Sequence, residues 1–274
     1  MNAKPDATDL DPLASLLRAV ARDEILPRFR HTSASAKADG SLVTEADLAT
    51  QQSLLASCRE RYPDIPMLGE EMSAAEQQRL VGDGSSTFWC LDPLDGTSNF
   101  ACGFPGFSIS LALIRGGTAE LALILDPVRD ECFTAAVGRG ACLNGEPIRP
   151  YAPGEALADC LAMVDFKRLP PERIARLFSS ESFRSQRNLG SVALDWCWLA
   201  AGRFQLYLHG GQKLWDYAAG RLIADEAGVV SSLLAPNSDQ PLSGIGLDKR
   251  TAIAAANQGL FERWLGLIDP PLWR

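Results

Sequence analysis

Histidine is nearly missing from this chain. Among 274 residues only His31 and His209 occur, so no His-rich zinc site is indicated. The seven cysteines (Cys58, Cys90, Cys102, Cys132, Cys142, Cys160 and Cys197) are odd in number and never spaced Cys-x-x-Cys, which argues against a disulfide framework or a thiolate metal site. No apolar run approaches the roughly 18 residues that span a bilayer. Met1 to Leu10 carries one lysine and no apolar stretch behind it, so no secretory leader is expected. Basic residues are also in deficit, 26 against 34 acidic, for a net charge of −8. A nucleic-acid polymer is therefore disfavoured as the main partner, because such binding rests on clustered Lys and Arg. These absences lead to the expectation of a cytoplasmic protein with reduced, mostly buried thiols and no membrane partner.

What remains is ordinary in bulk, 46% hydrophobic and 22% charged, and specific in pattern. The spacing of Leu13, Leu16, Leu17, Val20 and Ile25 predicts an amphipathic helix over 11–29. The polar stretch 31–40 reads as a mobile loop. Thr44 is a good N-cap for a second helix running to about Tyr62, with Asp47 in its first turn. Strands are predicted over 107–115 and 119–125, joined at Gly116-Gly117, then over 131–137 and 141–143 before the Asn144-Gly145 turn. The Pro- and Gly-rich stretch 150–155 is the best boundary between two lobes, 8–150 and 151–270. Beyond it, strands at 160–164, 204–208 and 252–256 alternate with helices at 171–178, 191–201, 216–227 and 259–267, the third stopped by Gly228. The expected class is α+β, with an antiparallel sheet first and a mixed sheet second. Trp196, Trp198 and Phe204 are assigned to the core rather than to an interface.

Chemistry concentrates between Phe88 and Phe100. An apolar strand ends in Asp92 and Asp95 with Pro93 between them, and Gly96, Thr97, Ser98 and Asn99 follow. Two carboxylates held close on a bend repel each other unless a cation lies between them. Small residues with available N–H groups beside them suit a phosphate. Three other acids stand on loops or element ends. Glu70 and Glu71 follow Gly69 and locally read as a solvated pair. Asp47 locally complements a helix dipole, and Asp216 reads equally as an N-cap and as a ligand. With no competing nitrogen or sulfur set, oxygen-only ligation of Mg²⁺ is the consistent choice.

Gly69-Glu70-Glu71, the run from Trp89 to Phe100 and Trp215-Asp216-Tyr217-Ala218-Ala219-Gly220 resemble, in order and separation, the signature motifs of the inositol monophosphatase family. The likeness extends from near Ala36 to near Gln258. It implies a layered α-β-α-β-α sandwich, a homodimer, lithium sensitivity and Mg²⁺-dependent hydrolysis of a phosphate monoester with two or three ions. Carried over onto this chain, Glu70, Asp92, the carbonyl of Leu94, Asp95 and Asp216 become metal ligands. Glu70 and Thr97 become the groups that orient and activate water, with Asp47 supporting Thr97 or a further metal-bound water. Gly96 and Thr97 would hold phosphate oxygens, Lys37 would act from the mobile loop, and Gly190, Ser191 and Val192 would touch the substrate with Asp216.

His209 stands where inositol-hydrolysing members carry a glutamate, and this weakens the inositol reading. A 3′(2′),5′-bisphosphate nucleotide, fructose 1,6-bisphosphate and histidinol phosphate stay open as substrates. Lys167 and Arg168 are candidates to meet a second phosphate, although exposed solvation is their local reading. An idle family member kept as a binding or regulatory subunit is the non-enzymatic alternative.

Overall fold

Alternation of side chains along the strands sets the layers of this molecule. The computed structural model describes residues 5–31, 34–36, 42–82, 86–178, 182–236 and 238–272. A seven-stranded sheet runs in chain order: Met67–Gly69, Thr87–Asp95, Ser108–Arg115, Thr118–Asp126, Glu131–Ala136, Ala141–Leu143 and Glu146–Pro147. Its first pair is parallel and every later pair antiparallel.

On one face Trp89, Leu91, Leu111, Leu113 and Leu123 pack under the helices Leu10–Val20 and Glu45–Arg61, meeting Leu13, Leu17 and Leu54. On the other face Phe88, Cys90, Ala112, Ile114, Ala122 and Ile124 meet the helices Val192–Ala200 and Leu214–Ala227. The same cluster takes in Met163, Tyr207, Ala252 and Ala254 from a second sheet. That sheet has the order Ser185–Arg187, Leu161–Val164, Leu206–Gln212, Arg250–Ala255 and Val230–Leu234. Its first two pairings are parallel and its last two antiparallel. Ala162, Val164, Leu206, Leu208, Ile253 and Ala255 point away from the middle, where Leu177, Leu260, Trp264 and Ile268 of the outer helices Pro171–Leu177 and Gln258–Ile268 cover them.

The result is an α-β-α-β-α sandwich with an antiparallel meander and a mixed sheet, as expected. Its middle layer is apolar on all sides. Every residue from Ala193 to Ala200 is buried, and all but Asp195 are apolar. A helix covered by a sheet on each face has no solvated side to leave polar. Trp196, Trp198 and Phe204 lie in this core.

Several elements differ from the sequence expectation. The first helix stops at Val20, widens into a π turn over Ala21–Ile25 and closes as a 3-10 turn, Leu26–Arg28, around Pro27. Part of the stretch read as a loop pairs instead, Ser35–Ala36 with Leu42–Val43. Lys37 lies outside the described residues. The helix Ala74–Val81 and the strand Val230–Leu234 went unread, although Ser73 and Glu76 form a capping box that marks the former. Among the described residues no helix is long and apolar enough to cross a membrane.

Candidate active site

The bend at Pro93 is a β-bulge. Thr87–Asp95 pairs with Ser108–Arg115 in register as far as Asp92 opposite Ser110, then slips and resumes with Asp95 opposite Ser108. Proline cannot donate to a ladder, and a bulge is where a sheet tolerates it. The bulge brings Asp92, Leu94 and Asp95 to the wall of one cavity of about 470 Å³, which Glu70, Thr97 and Asp216 also line. Gly96 then turns the chain at φ 90° into the short helix Thr97–Ala101. A Cβ at this glycine would sit 2.8 Å from the Gly106 carbonyl oxygen, so both torsion and space require glycine.

Asp92, Asp95 and Asp216 are each tied to the scaffold through one carboxylate oxygen. Asp92 Oδ1 accepts the Leu94 N–H at 3.0 Å. Asp95 Oδ2 accepts the Ser191 hydroxyl and, at 2.8 Å, the Ala193 N–H at the start of a middle-layer helix. Asp216 is the third residue of Leu214–Ala227 rather than its N-cap, and its Oδ2 accepts the Lys213 N–H at 2.8 Å. The Ser110 hydroxyl donates to the Trp215 carbonyl at 3.2 Å and so fixes that helix against the bulged pair. Glu70 follows the strand Met67–Gly69, and its N–H donates to the Leu91 carbonyl at 3.3 Å.

Thr97 and Asp47 meet, fifty residues apart in sequence. The Thr97 hydroxyl lies 3.2 Å from Asp47 Oδ1 and 3.0 Å from the Leu94 carbonyl oxygen. Asp47 is buried, and its Oδ2 accepts the Thr44 N–H at 2.8 Å and the Thr44 hydroxyl at 2.6 Å. The single hydroxyl hydrogen of Thr97 is committed to these acceptors, which leaves its lone pairs to accept from a donor in the cavity.

Burial dominates the electrostatics. It pushes the Asp92 carboxyl well above the usual range, and Glu70, Asp95 and Asp216 add to the effect. Burial raises Asp95 to about 6 against the opposing bonds from Ser191 and Ala193. It raises Asp216, whose partly exposed side chain also feels Asp95, to about 7. Asp47 is raised as well, again mainly by burial. Among the described residues no three His, Cys, Asp or Glu side chains stand close enough to make a finished ligand set. Burial is the main cause of these raised pKa values, and repulsion among the neighbouring carboxylates adds to it. The donors are all oxygen, which fits a hard divalent cation and no softer one.

The part of the cavity wall around His209 is built differently. The strand Leu206–Gln212 slips register against Arg250–Ala255 between His209 and Gln212. A Cβ on Gly210 there would fall 1.8 Å from the Arg168 carbonyl oxygen, so the bulge and the 166–168 turn are in close contact. His209 is buried and lowered in pKa, chiefly by that burial. Its Nδ1 accepts the Gly211 N–H at 3.3 Å, which places the imidazole proton on Nε2, 3.4 Å from Asp165 Oδ2. Asp165 also accepts the Lys167 N–H at 3.0 Å and Asn188 Nδ2 at 3.2 Å, and lies 3.7 Å from Arg168 Nε. Burial would raise the Asp165 carboxyl, but the His209 bond and charges outweigh it and hold it below the usual value.

Of the residues expected to touch substrate, Gly96, Thr97, Gly190, Val192, His209 and Asp216 line the cavity. Ser191 does not. It is buried and serves Asp95 from behind. Three contributors were unread in the sequence. Asn99 Nδ2 donates to the carbonyls of Gly106 and Leu189 and so clips the Gly96 turn to the Gly190 segment. Asp165 organises the wall around His209. Asp195 lines the cavity, is buried, and leaves Oδ1 without a hydrogen-bond partner in the protein. The signal for Asp195 was present as a lone acid inside an otherwise apolar helix.

The structure is thus a layered α+β sandwich that gathers acids from four separate elements around one cavity. A family model for the inositol monophosphatase family matches residues 8–268. The chain belongs to that family. It is 36% identical over 241 residues to "Nus factor SuhB" of Pseudomonas aeruginosa, covering 84% of this chain and 83% of that protein. It is 38% identical over 200 residues to "Inositol monophosphatase 1" of Solanum lycopersicum, covering 71% and 72%. The solved structure of a Thermotoga maritima IMPase superposes with a TM-score of 0.79 at 28% identity, covering 96% of this chain and 97% of that one.

Proposed function

We propose that this protein is a Mg²⁺-dependent phosphomonoesterase acting on a small phosphorylated metabolite. The observation that carries the reading is the convergence of Glu70, Asp92, Asp95 and Asp216 on one cavity beside the Thr97–Asp47 pair. Those four acids and the Leu94 carbonyl are the groups that would hold two or three Mg²⁺ ions. Bound Mg²⁺ neutralises phosphate charge and makes water a better nucleophile. Thr97 orients the attacking water by accepting one of its hydrogens, because Asp47 and Leu94 take the threonine's own proton. Glu70 would receive the water's other proton as the new P–O bond forms, and the alkoxide released as the ester P–O bond breaks would take a proton from solvent. The N–H groups of Gly96 and Thr97 meet the phosphate oxygens, and Ser191 with the Ala193 N–H keeps Asp95 in place. No phosphoenzyme is needed, since Ser191, the serine whose hydroxyl meets Asp95, is buried and does not line the cavity.

A second reading rests on the relative called a Nus factor: a binding or regulatory role in which hydrolysis is incidental. Phosphate release from p-nitrophenyl phosphate and inositol 1-phosphate, dependent on Mg²⁺ and abolished by EDTA, is the expected result for the enzyme. A folded protein that releases no phosphate from any monoester at any Mg²⁺ concentration would favour the second role. A cytoplasmic setting is part of the proposal and agrees with seven free thiols, five of them buried.

The raised carboxyls make a further outcome measurable. Unfolded, Asp95 and Asp216 titrate near 3.8; folded, they titrate at about 6 and about 7. The folded protein therefore binds these protons more tightly, and their contribution to stability is complete at acid pH and lost as pH climbs through 6 to 7. Mg²⁺ takes the place of the protons. Its stabilising effect should be small at pH 5 and larger at pH 8, by on the order of 5 °C or more in Tm. Melting curves with and without Mg²⁺ at the two pH values decide this. An equal shift at both would contradict it.

A further inference from the structure

The loop 243–249 has no regular structure of its own, yet it ends at Lys249, which lines the cavity. What holds this loop is the residue that follows Asp216. Successive positions of a helix point about 100° apart, which lets Asp216 face the cavity while Tyr217 faces the loop. The Tyr217 hydroxyl donates to the Gly246 carbonyl at 3.3 Å and accepts the Gly246 N–H at 3.2 Å. One side chain thus satisfies both backbone groups of a loop residue.

Arg250 supplies a second anchor. Its guanidinium lies over the Tyr217 ring, 5.2 Å from the centroid, and its Nη1 donates to the Gly244 carbonyl at 2.7 Å. Tyr217 and Arg250 are both buried, at 2% and 4% exposure. A Cβ on Gly246 would come within 2.9 Å of Arg250 Nη2, so the loop lies directly on the guanidinium. The Ile245 N–H donates to the Gly117 carbonyl at 3.1 Å, and Ile245 and Leu247 pack against the core between the sheets. At the far end the Lys249 stem lies beside the bulge, with Cδ 3.7 Å from where a Cβ on Gly211 would stand. Lys249 is itself exposed. A lysine on an untethered loop spreads its charge over many backbone and side-chain conformations, whereas a fixed loop confines it.

We propose that Tyr217 is a positioning residue: through Gly246 its hydroxyl fixes the 243–249 loop to the helix that carries Asp216, and so keeps Lys249 at the cavity, where its ammonium attracts an anionic substrate. This rests on the phosphomonoesterase reading for the sign of the ligand's charge. Tyr217 itself is not among the residues that line the cavity.

Tyr217→Phe, Lys249→Ala and the double variant test this with inositol 1-phosphate and Mg²⁺. Each single variant should raise KM about threefold to fivefold and leave kcat within about twofold. The double variant should be no worse than Lys249→Ala alone, because both changes remove the same interaction. Hydrogen exchange over 244–249 should be faster in Tyr217→Phe and unchanged in the helix Leu214–Ala227. A merely structural Tyr217 would lower Tm and leave KM where it was. Additive KM effects, an unchanged KM in either single variant or unchanged exchange in the loop would overturn the proposal and leave the phosphatase reading intact. A folded wild type that releases no phosphate would remove that reading. Calorimetric binding of orthophosphate with Mg²⁺ then takes the place of KM: weaker binding by a similar factor in both single variants upholds the proposal, and equal or undetectable binding in all proteins overturns it. Should Tyr217→Phe not fold, Arg250→Met, which removes the other anchor of the loop, is read by the same criteria.

Discussion

Replacing Asp95 with asparagine should lower Mg²⁺-dependent phosphate release by on the order of 10³-fold while the protein stays folded. The substitution keeps shape and removes a charge. The Ser191 hydroxyl and the Ala193 N–H both donate to Asp95 Oδ2, so an amide oxygen can retain these bonds while the amide nitrogen cannot replace the second carboxylate oxygen. Repulsion from the neighbouring acids falls at the same time. Metal-free Asp95→Asn should therefore be at least as stable as the wild type at pH 8, where the native carboxylate would be ionised well above its pKa of about 6. Initial rates and melting curves on the same preparations separate the two effects. Near-wild-type rates would remove Asp95 from the ligand set. A collapsed melting temperature would mark it as structural instead.

The largest loss of stability is expected from Trp196→Ala, about 3–5 kcal/mol by chemical denaturation. Trp196 is fully buried in the middle layer and touches both sheets' partners. Its Cβ lies where a Cβ on Gly220 would come within 2.6 Å, so the two middle helices meet at a glycine made for this ring. The ring packs edge-on to Tyr207 at 5.1 Å between centroids, and Nε1 donates to Gln212 Oε1 at 3.1 Å. Gln212 Nε2 in turn donates to the Tyr207 hydroxyl at 2.7 Å. Truncation thus opens a cavity and leaves Gln212 with an unpaired acceptor. Trp196→Phe, which keeps most of the volume, should cost less. A loss below about 1 kcal/mol for the alanine variant would show that the helices repack freely.

Much of this architecture was written in local pattern. The continuous apolar run Phe88 to Leu91 predicts a buried strand, and Thr44 with Asp47 in the first turn predicts a helix start. The acids were legible as a set through the motifs around Glu70, Asp92 and Asp216, because those motifs are long and ordered. Their mutual repulsion was legible at Pro93 for the same reason. What failed depended on partners remote in sequence. Ser191 looks like a substrate contact until Asp95, ninety-six residues earlier, is seen to take its hydroxyl. His209 reads as a candidate ligand until Asp165 and Gly211 occupy its two nitrogens. The strand Val230–Leu234 was missed because its pairing with Arg250–Ala255 is set by tertiary contact, not by a turn between them.

The wall bearing Asp165, Lys167, Arg168, Asn188, His209 and Lys249 comes from one later stretch of chain, and the bulge bearing Asp92 and Asp95 from an earlier one. Among the described residues no side-chain hydrogen bond joins the two sets, so substitutions in the first can accumulate without disturbing the second. Under the proposed function, reactivity and selectivity are in this sense separately heritable: a duplicated copy of such a gene can acquire a different metabolite by exchanging the codons for Lys167, Arg168, Asn188 and Lys249, provided that Ser191, Ala193 and Asp216 in the same stretch continue to serve the acids.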